Sequence, residues 1–320
     1  MKKALLVFVL LLFGGHTSFA QLVYSYEQTV CGNITMPYRK ALIAQDNEGL
    51  SSLVVYLHGG SSKGNDNELP LQEPGTDSIA NYLVRKNIKS IFVVPQCPKN
   101  KSWGGPMNNA VETMLSSLLS SGLVDADRVY ILGGSMGGTG TWGMVSVYPD
   151  LFAAAMPVAG NPSHSNAEAV SNTPVYTVMG TADTIMSIDV VAEFLQELET
   201  YGGEYMFDIE EEWTHQQTCI ESYTEARLDW VFSHPANLSV GNETADAITD
   251  SKTFAYFSAG NCFISNEGAA TLQVINLMGH FLSSEVINGN FTKRLDVPVG
   301  IYLLRLIKDG NVKTQKIVVK

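Results

Sequence analysis

Between residues 53 and 232 short apolar runs alternate with segments of helical spacing, and this alternation limits the fold more than any other feature of the chain. Leu53 to Leu57, Ser90 to Val94, Val129 to Leu132, Ala153 to Ala159, Val175 to Gly180 and Tyr205 to Ile209 read as strands. Asp77 to Lys86, Asn108 to Ser120, Gly137 to Val147, Ile188 to Tyr201 and Ile220 to Phe232 read as helices, with apolar residues on one face. Strands that alternate with helices build crossover units. The expected fold class is therefore α/β, a doubly wound and mostly parallel sheet covered on both faces. Sites in such sheets lie at the carboxyl ends of the strands.

The texture changes after His234-Pro235. Residues 236–252 are polar and aperiodic and read as a linker. Residues 253–320 hold short β-rich runs (Thr253 to Phe257, Ala270 to Leu277, Ile301 to Ile307, Val312 to Val319) separated by turns such as Asn288-Gly289-Asn290 and Asp309-Gly310-Asn311. That is the pattern of a small all-β sandwich. At the other end, Lys2 and Lys3 precede the apolar stretch Ala4 to Phe13, and Ser18-Phe19-Ala20 is a small-x-small cleavage site. Residues 1–20 thus read as a secretory signal, too short to span a membrane comfortably, and the mature chain is expected to start near Gln21. Residues 21–235 form the α/β unit.

Charge follows this division. Without its first twenty residues the chain has 18 basic and 32 acidic side chains, a balance of −14. From Phe291 onward the balance is +5, which leaves −19 for residues 21–290. The acidity disfavours nucleic acid as a partner and favours solubility outside the cell. Cys31, Cys97, Cys219 and Cys262 allow three pairings, between which the sequence does not choose. No Cys-x-x-Cys pair or His cluster points to a metal, and no cofactor is expected.

Gly133-Gly134-Ser135-Met136-Gly137 follows the strand Val129 to Leu132. A Gly-x-Ser-x-Gly sequence there places a serine on a sharp strand-to-helix turn, its hydroxyl exposed above the sheet. Serine needs a base to become a nucleophile, and in this arrangement an acid and then a histidine follow it in the chain. His215 lies between a strand and the last helix, where such a base belongs. His164 precedes the next two strands and fits the order poorly, and His234 sits at a helix end where capping explains it. Asp183, just past the strand Val175 to Met179, is the expected acid, with Asp189 as runner-up. Oxyanion donors are expected from the backbone N–H of Met136 and from the loop after Leu57, with Gly60 first and Ser61 next. His58 reads as a structural residue of that loop.

These segments are familiar together. Leu53-Val-Val-Tyr-Leu-His-Gly-Gly60 with Gly64-Asn65-Asp66, the stretch Asp127 to Trp142, and Tyr148-Pro-Asp-Leu-Phe-Ala153 resemble secreted α/β-hydrolase esterases, the group that includes polyhydroxybutyrate depolymerase-like, feruloyl and acetylxylan esterases. Met36 to Arg39 looks like their N-terminal strand. Pro95-Gln-Cys-Pro98 with Trp103 is similar to a segment that lines their cleft. The resemblance covers roughly residues 36–233 and implies Ser135, Asp183 and His215 as the triad, with Trp103 and Ser61 contacting substrate. Two positions depart from the family: Met179-Gly180 stands where His-Gly is usual before the acid, and Thr214-His215 where Gly-His is frequent. Separately, Val274 to His280, Val297 to Tyr302 and Lys313 to Lys320 resemble the type IX secretion sorting domain of Bacteroidetes. That implies contact with the secretion machinery and export across the outer membrane to the cell surface or beyond.

The expected function is a secreted serine esterase that releases acyl groups, acetyl or feruloyl, from carbohydrate. The alternatives are a serine peptidase of the prolyl-oligopeptidase-like group, against which stands the shortness of residues 21–52 for a gating propeller, and a non-catalytic surface binding protein on a hydrolase scaffold.

Overall fold

The computed structural model describes residues 22–235 and most of 255–319, without 259–260, 267, 277–280, 296, 299 and 309–310. The expected signal and the whole of the expected linker lie outside the described residues. In the first unit, β1 (Tyr24–Cys31), β2 (Ile34–Ile43), β3 (Ser51–Leu57), β4 (Ser90–Pro95), β5 (Val124–Gly134), β6 (Ala154–Val158), β7 (Val175–Gly180) and β8 (Tyr205–Glu210) form one sheet in the order β1-β2-β4-β3-β5-β6-β7-β8. The pairs from β4 through β8 are parallel; β1–β2 and β2–β4 are antiparallel.

Helices α1 (Pro74–Arg85), α2 (Pro106–Leu119), α3 (Met136–Val147), α4 (Ala167–Val170), α5 (Ile188–Thr200), α6 (His215–Glu221) and α7 (Glu225–Phe232) connect the strands. Every residue of β3 is buried, as expected for a strand covered on both faces. Its alternate side chains divide between two cores. Leu53, Val55 and Leu57 join Val111, Met114 and Leu115 of α2, Trp142 of α3 and Leu195 of α5. Val54 and Tyr56 join Ile79 and Leu83 of α1 and Leu228 and Val231 of α7. Burying a Leu or Val side chain contributes roughly 1.5–3 kcal/mol, so both faces hold the sheet firmly.

In the first unit the structure differs from the sequence reading most at its two ends. The hairpin partner β1 was not expected, although Gly32-Asn33 between β1 and β2, with Gly32 at φ +57°, is a hairpin-turn signal. The single helix expected over Ile220 to Phe232 is two, α6 and α7. The Ser222 hydroxyl donates to the Thr218 carbonyl, and Tyr223 turns into the core, its ring 5.8 Å from that of Tyr56.

The C-terminal part has two antiparallel sheets. One is β13-β10-β9, from β9 (Ala255–Ser258), β10 (Asn261–Ile264) and β13 (Phe291–Arg294). The other is β12-β11-β14-β15, from β11 (Ala269–Asn276), β12 (Phe281–Asn288), β14 (Gly300–Lys308) and β15 (Asn311–Val319). Cys262 and Ile264 share one core with Leu272, Val274, Leu304 and Leu306, so the two sheets face each other as a sandwich.

Candidate active site

The loops after β3, β5, β7 and β8 converge at the carboxyl edge of the sheet. β5 runs straight into the turn at Ser135, whose φ of +57° and ψ of −118° are strained for a residue with a side chain. The turn forms because its neighbours lack side chains. A Cβ on Gly137 would lie 1.8 Å from the Leu57 carbonyl oxygen, and one on Gly133 would lie 2.5 Å from the Gly137 carbonyl oxygen. The Ser135 N–H donates to the Val158 carbonyl (2.9 Å), and the Ser135 carbonyl accepts from Thr139 N–H at the start of α3 (3.0 Å). The hydroxyl is thereby held above the sheet.

His215 Nε2 is 2.7 Å from Ser135 Oγ, and His215 Nδ1 is 2.7 Å from Asp183 Oδ2. The Asp183 side chain is wholly buried, whereas 16% of the His215 side chain is exposed. Asp183 Oδ1 accepts from the N–H groups of Ile185 (2.8 Å) and Met186 (2.9 Å), which leaves Oδ2 for the imidazole. His215 is not in a loop but at the first position of α6. Thr214 and Gln217 form a capping box there and set the angle at which the helix begins. The loops after β7 and β8 are tied together by Ala182 N–H to the Trp213 carbonyl (3.0 Å) and by Glu212 N–H to the Thr181 hydroxyl (2.7 Å). A Cβ on Gly180 would lie 2.2 Å from the Trp213 oxygen, so the close approach requires glycine.

The other candidates lie elsewhere. Asp189 is in the first turn of α5. His164 is exposed on the loop after β6. His234 Nδ1 is 2.7 Å from the Trp230 carbonyl and its Nε2 is 3.1 Å from Glu204.

The loop after β3 comes close to the serine, since a Cβ on Gly59 would lie 3.8 Å from Ser135 Cβ. Gly60 and Ser61 occupy a short 3-10 turn (Gly60–Ser62) and are exposed. Met136 is the first residue of α3, so its N–H has no acceptor within the helix. His58 is fully buried, and both its ring nitrogens are occupied. Nε2 accepts from Cys97 N–H (2.9 Å), so Nδ1 carries the proton and donates to the Gly59 carbonyl (2.6 Å). Burial pushes its pKa down to about 4, which keeps it neutral.

Trp103, which the resemblance puts against substrate, is 6% exposed. Its indole N–H donates to the His58 carbonyl (2.9 Å), and its Cβ packs against Gly140 of α3. It braces the loop from behind. Cys219, one turn after His215, lies beside Gly134. Burial, and next the charges of Glu73 and Asp183, push its thiol up to about 12, so it stays protonated. The sequence reading missed Glu73, which accepts from Gly59 N–H, the Ser62 hydroxyl and the Tyr56 hydroxyl. It stands just before Pro74-Gly75 at the start of α1, and nothing in the local sequence marks it.

No disulfide joins the four cysteines. Among the described residues no group of His, Cys, Asp and Glu stands close enough to hold a metal ion, and no helix is long and apolar enough to cross a membrane.

A model of the prolyl oligopeptidase family matches residues 100–163, and a model of the secretion system C-terminal sorting domain matches residues 258–320. No curated protein matches the sequence. Among solved structures, a thermostable esterase is 26% identical with a TM-score of 0.62, over 66% of this chain and 63% of that one. This chain thus spans less than two thirds of that esterase. The feruloyl esterase module of Clostridium thermocellum is 15% identical (TM-score 0.52, 67% of this chain, 89% of that one). The acylaminoacyl peptidase of Pyrococcus horikoshii is 13% identical (TM-score 0.53, 70% of this chain, 44% of that one). The last two are likenesses of fold. Together these findings identify residues 22–235 as an α/β-hydrolase fold. The C-terminal match marks the chain for export by type IX secretion to the cell surface or the extracellular space.

Proposed function

We propose that this exported α/β-hydrolase-fold chain is a serine esterase that cleaves carboxylic esters, with acetyl or feruloyl groups on carbohydrate as the preferred substrates. The observation that carries the reading is the continuous line of 2.7 Å contacts from Ser135 Oγ through His215 to Asp183. Ser135 Oγ attacks the ester carbonyl while His215 Nε2 takes its proton. Asp183 accepts the Nδ1 proton, fixes the tautomer and stabilises the imidazolium as it forms. The N–H groups of Met136 and Gly60, with Ser61 next in reach, receive the oxyanion. His215 then returns the proton to the leaving alcohol, and water attacks the acyl-enzyme by the same route in reverse. None of these steps calls on a cofactor.

The substrate class rests on the esterase neighbours, one of them a feruloyl esterase module complexed with sinapinate. Ile185, 67% exposed two residues after Asp183, and partly buried Met186 offer an apolar surface for an acyl group or aromatic ring. The secretion machinery is the proposed partner of residues 253–320, beyond a linker over 236–252.

The test is turnover of acetyl, butyryl, feruloyl and long-chain aryl esters by the wild type and by Ser135→Ala. The variant is expected to lose on the order of 10⁶-fold in kcat with its melting temperature unchanged. Full turnover by the variant would sink the reading. The prolyl oligopeptidase family match favours a second reading, peptide hydrolysis by the same three residues. Aminopeptidase-type amides in the same panel separate the two, because an esterase leaves them uncut. Failure of a fluorophosphonate probe to label the folded wild type would point instead to a binding protein.

A further inference from the structure

The partners of Glu73 have a directional consequence. Its Oε1 and Oε2 lie 2.9 and 3.1 Å from the N–H of Gly59. Oε1 also accepts from the Ser62 hydroxyl (2.6 Å), and Oε2 from the Tyr56 hydroxyl (3.0 Å). Three donors converge on one carboxylate, which has acceptors only. On the opposite side the Gly59 carbonyl accepts from His58 Nδ1 (2.6 Å) and from Ser62 N–H (3.3 Å). Both polar groups of Gly59 are thus held. The peptide that joins Gly59 to Gly60 is planar and trans, since no peptide bond among the described residues is cis. Its N–H, that of Gly60, must therefore point opposite to the Gly59 carbonyl, away from His58. Gly60 takes its direction from this plane and not from a side chain, since a Cβ there would meet nothing within 4 Å.

We propose that Glu73 is the positioning residue of the oxyanion site: by clamping the Gly59 N–H while His58 Nδ1 and Ser62 N–H hold the Gly59 carbonyl, it fixes the peptides on both sides of Gly59 and so turns the Gly60 N–H toward the carbonyl that Ser135 attacks. The proposal rests on the esterase reading above. It assigns Glu73 an effect on the transition state and almost none on substrate binding, because the oxyanion exists only after attack. A side chain with no acceptor at this position leaves the Gly59 N–H without a partner, and the backbone there is free to rotate; a neutral amide could keep the contact, because either hydroxyl can turn to accept from its NH₂.

The experiment compares wild type, Ser135→Ala, Glu73→Ala and Glu73→Met on an aryl acetate, with melting temperatures and with inhibition by a boronic acid as a tetrahedral analogue. Glu73→Ala removes the acceptor and is expected to lose about 10²-fold in kcat, the effect of one misplaced oxyanion donor, with KM within about threefold of wild type. Boronate affinity is expected to fall in parallel with kcat. Glu73→Met, which fills the same space without an acceptor oxygen, is expected to lose as much. Wild-type kcat in a folded Glu73→Ala overturns the proposal, as does a loss confined to KM. Should Glu73→Ala fail to fold, Glu73→Met decides, and an unchanged kcat there overturns the proposal. Absence of Ser135-dependent turnover in the wild type overturns the esterase reading itself, an outcome distinct from these.

Discussion

Two arms of the site are built by opposite means. The serine arm, β5 through the first turn of α3, is shaped by missing side chains. Gly133 and Gly137 let backbone pack on backbone, with the Leu57 carbonyl where the Gly137 side chain would be. The proposed acid and base arm, from Gly180 to Thr218, is shaped largely by side chains that are present. Asp183 is oriented by the N–H groups of Ile185 and Met186, His215 by the Thr214–Gln217 box, and the two loops by Thr181. Steric exclusion tolerates almost no substitution. Hydrogen bonds are individually modest, about 1 kcal/mol each, and can be lost one at a time. The serine arm is therefore expected to be rigid and unforgiving, and the acid and base arm adjustable.

Three substitutions or conditions test that contrast, from large to small. Gly137→Ala forces a methyl into the Leu57 backbone and is expected to cost about 3 kcal/mol or more, with loss of activity, because a packed backbone cannot move aside. Chemical denaturation measures it, and a loss under about 1 kcal/mol would break the steric account.

The next largest effect comes from His58, a buried polar brace beside the serine arm. Burial lowers its pKa from 6.5 to about 4, so below pH 6.5 the unfolded chain binds a proton that the folded one refuses. Its contribution is fully present above pH 6.5 and is lost as the pH falls toward 4, by about 3 kcal/mol in all. Unfolding free energies of wild type and His58→Gln across that range should differ in slope, and parallel curves would contradict the assignment.

The smallest effect belongs to the adjustable arm. Thr214→Ala removes the cap and is expected to cost about 1 kcal/mol, with a modest fall in kcat and little change in KM as His215 loses its fixed angle. A collapse as large as that of Gly137→Ala would erase the contrast between the arms.

The same contrast explains what could be read in advance. The alternation of apolar runs and helical faces marks β3 to β8 because burial on both faces demands it, and the elbow is legible because its glycines are contiguous with Ser135. The division of the last helix is not legible, since Tyr223 leaves the helix to meet Tyr56 from a distant strand. Trp103 looks like cleft lining by resemblance, yet its indole N–H is bound to the His58 carbonyl. Glu73 carries no local mark, because its partners Tyr56, Gly59 and Ser62 acquire meaning only when α1 packs beside the loop after β3.

The sequence by itself determined an α/β sheet, a serine at a strained turn, an exported chain and a C-terminal β unit, because periodicity, glycine spacing and sorting motifs are local properties. The chain order pointed to Asp183 and His215, but only the tertiary structure brought them to within 2.7 Å of their partners in line with that serine. Asp183 and Ser135 lie 32 and 80 positions from His215, and contacts over such separations are set by how the strands order themselves in the sheet. The carboxylate that holds the loop after β3 likewise emerged only from packing, where the low polarity of the interior obliges three buried donors to find one acceptor.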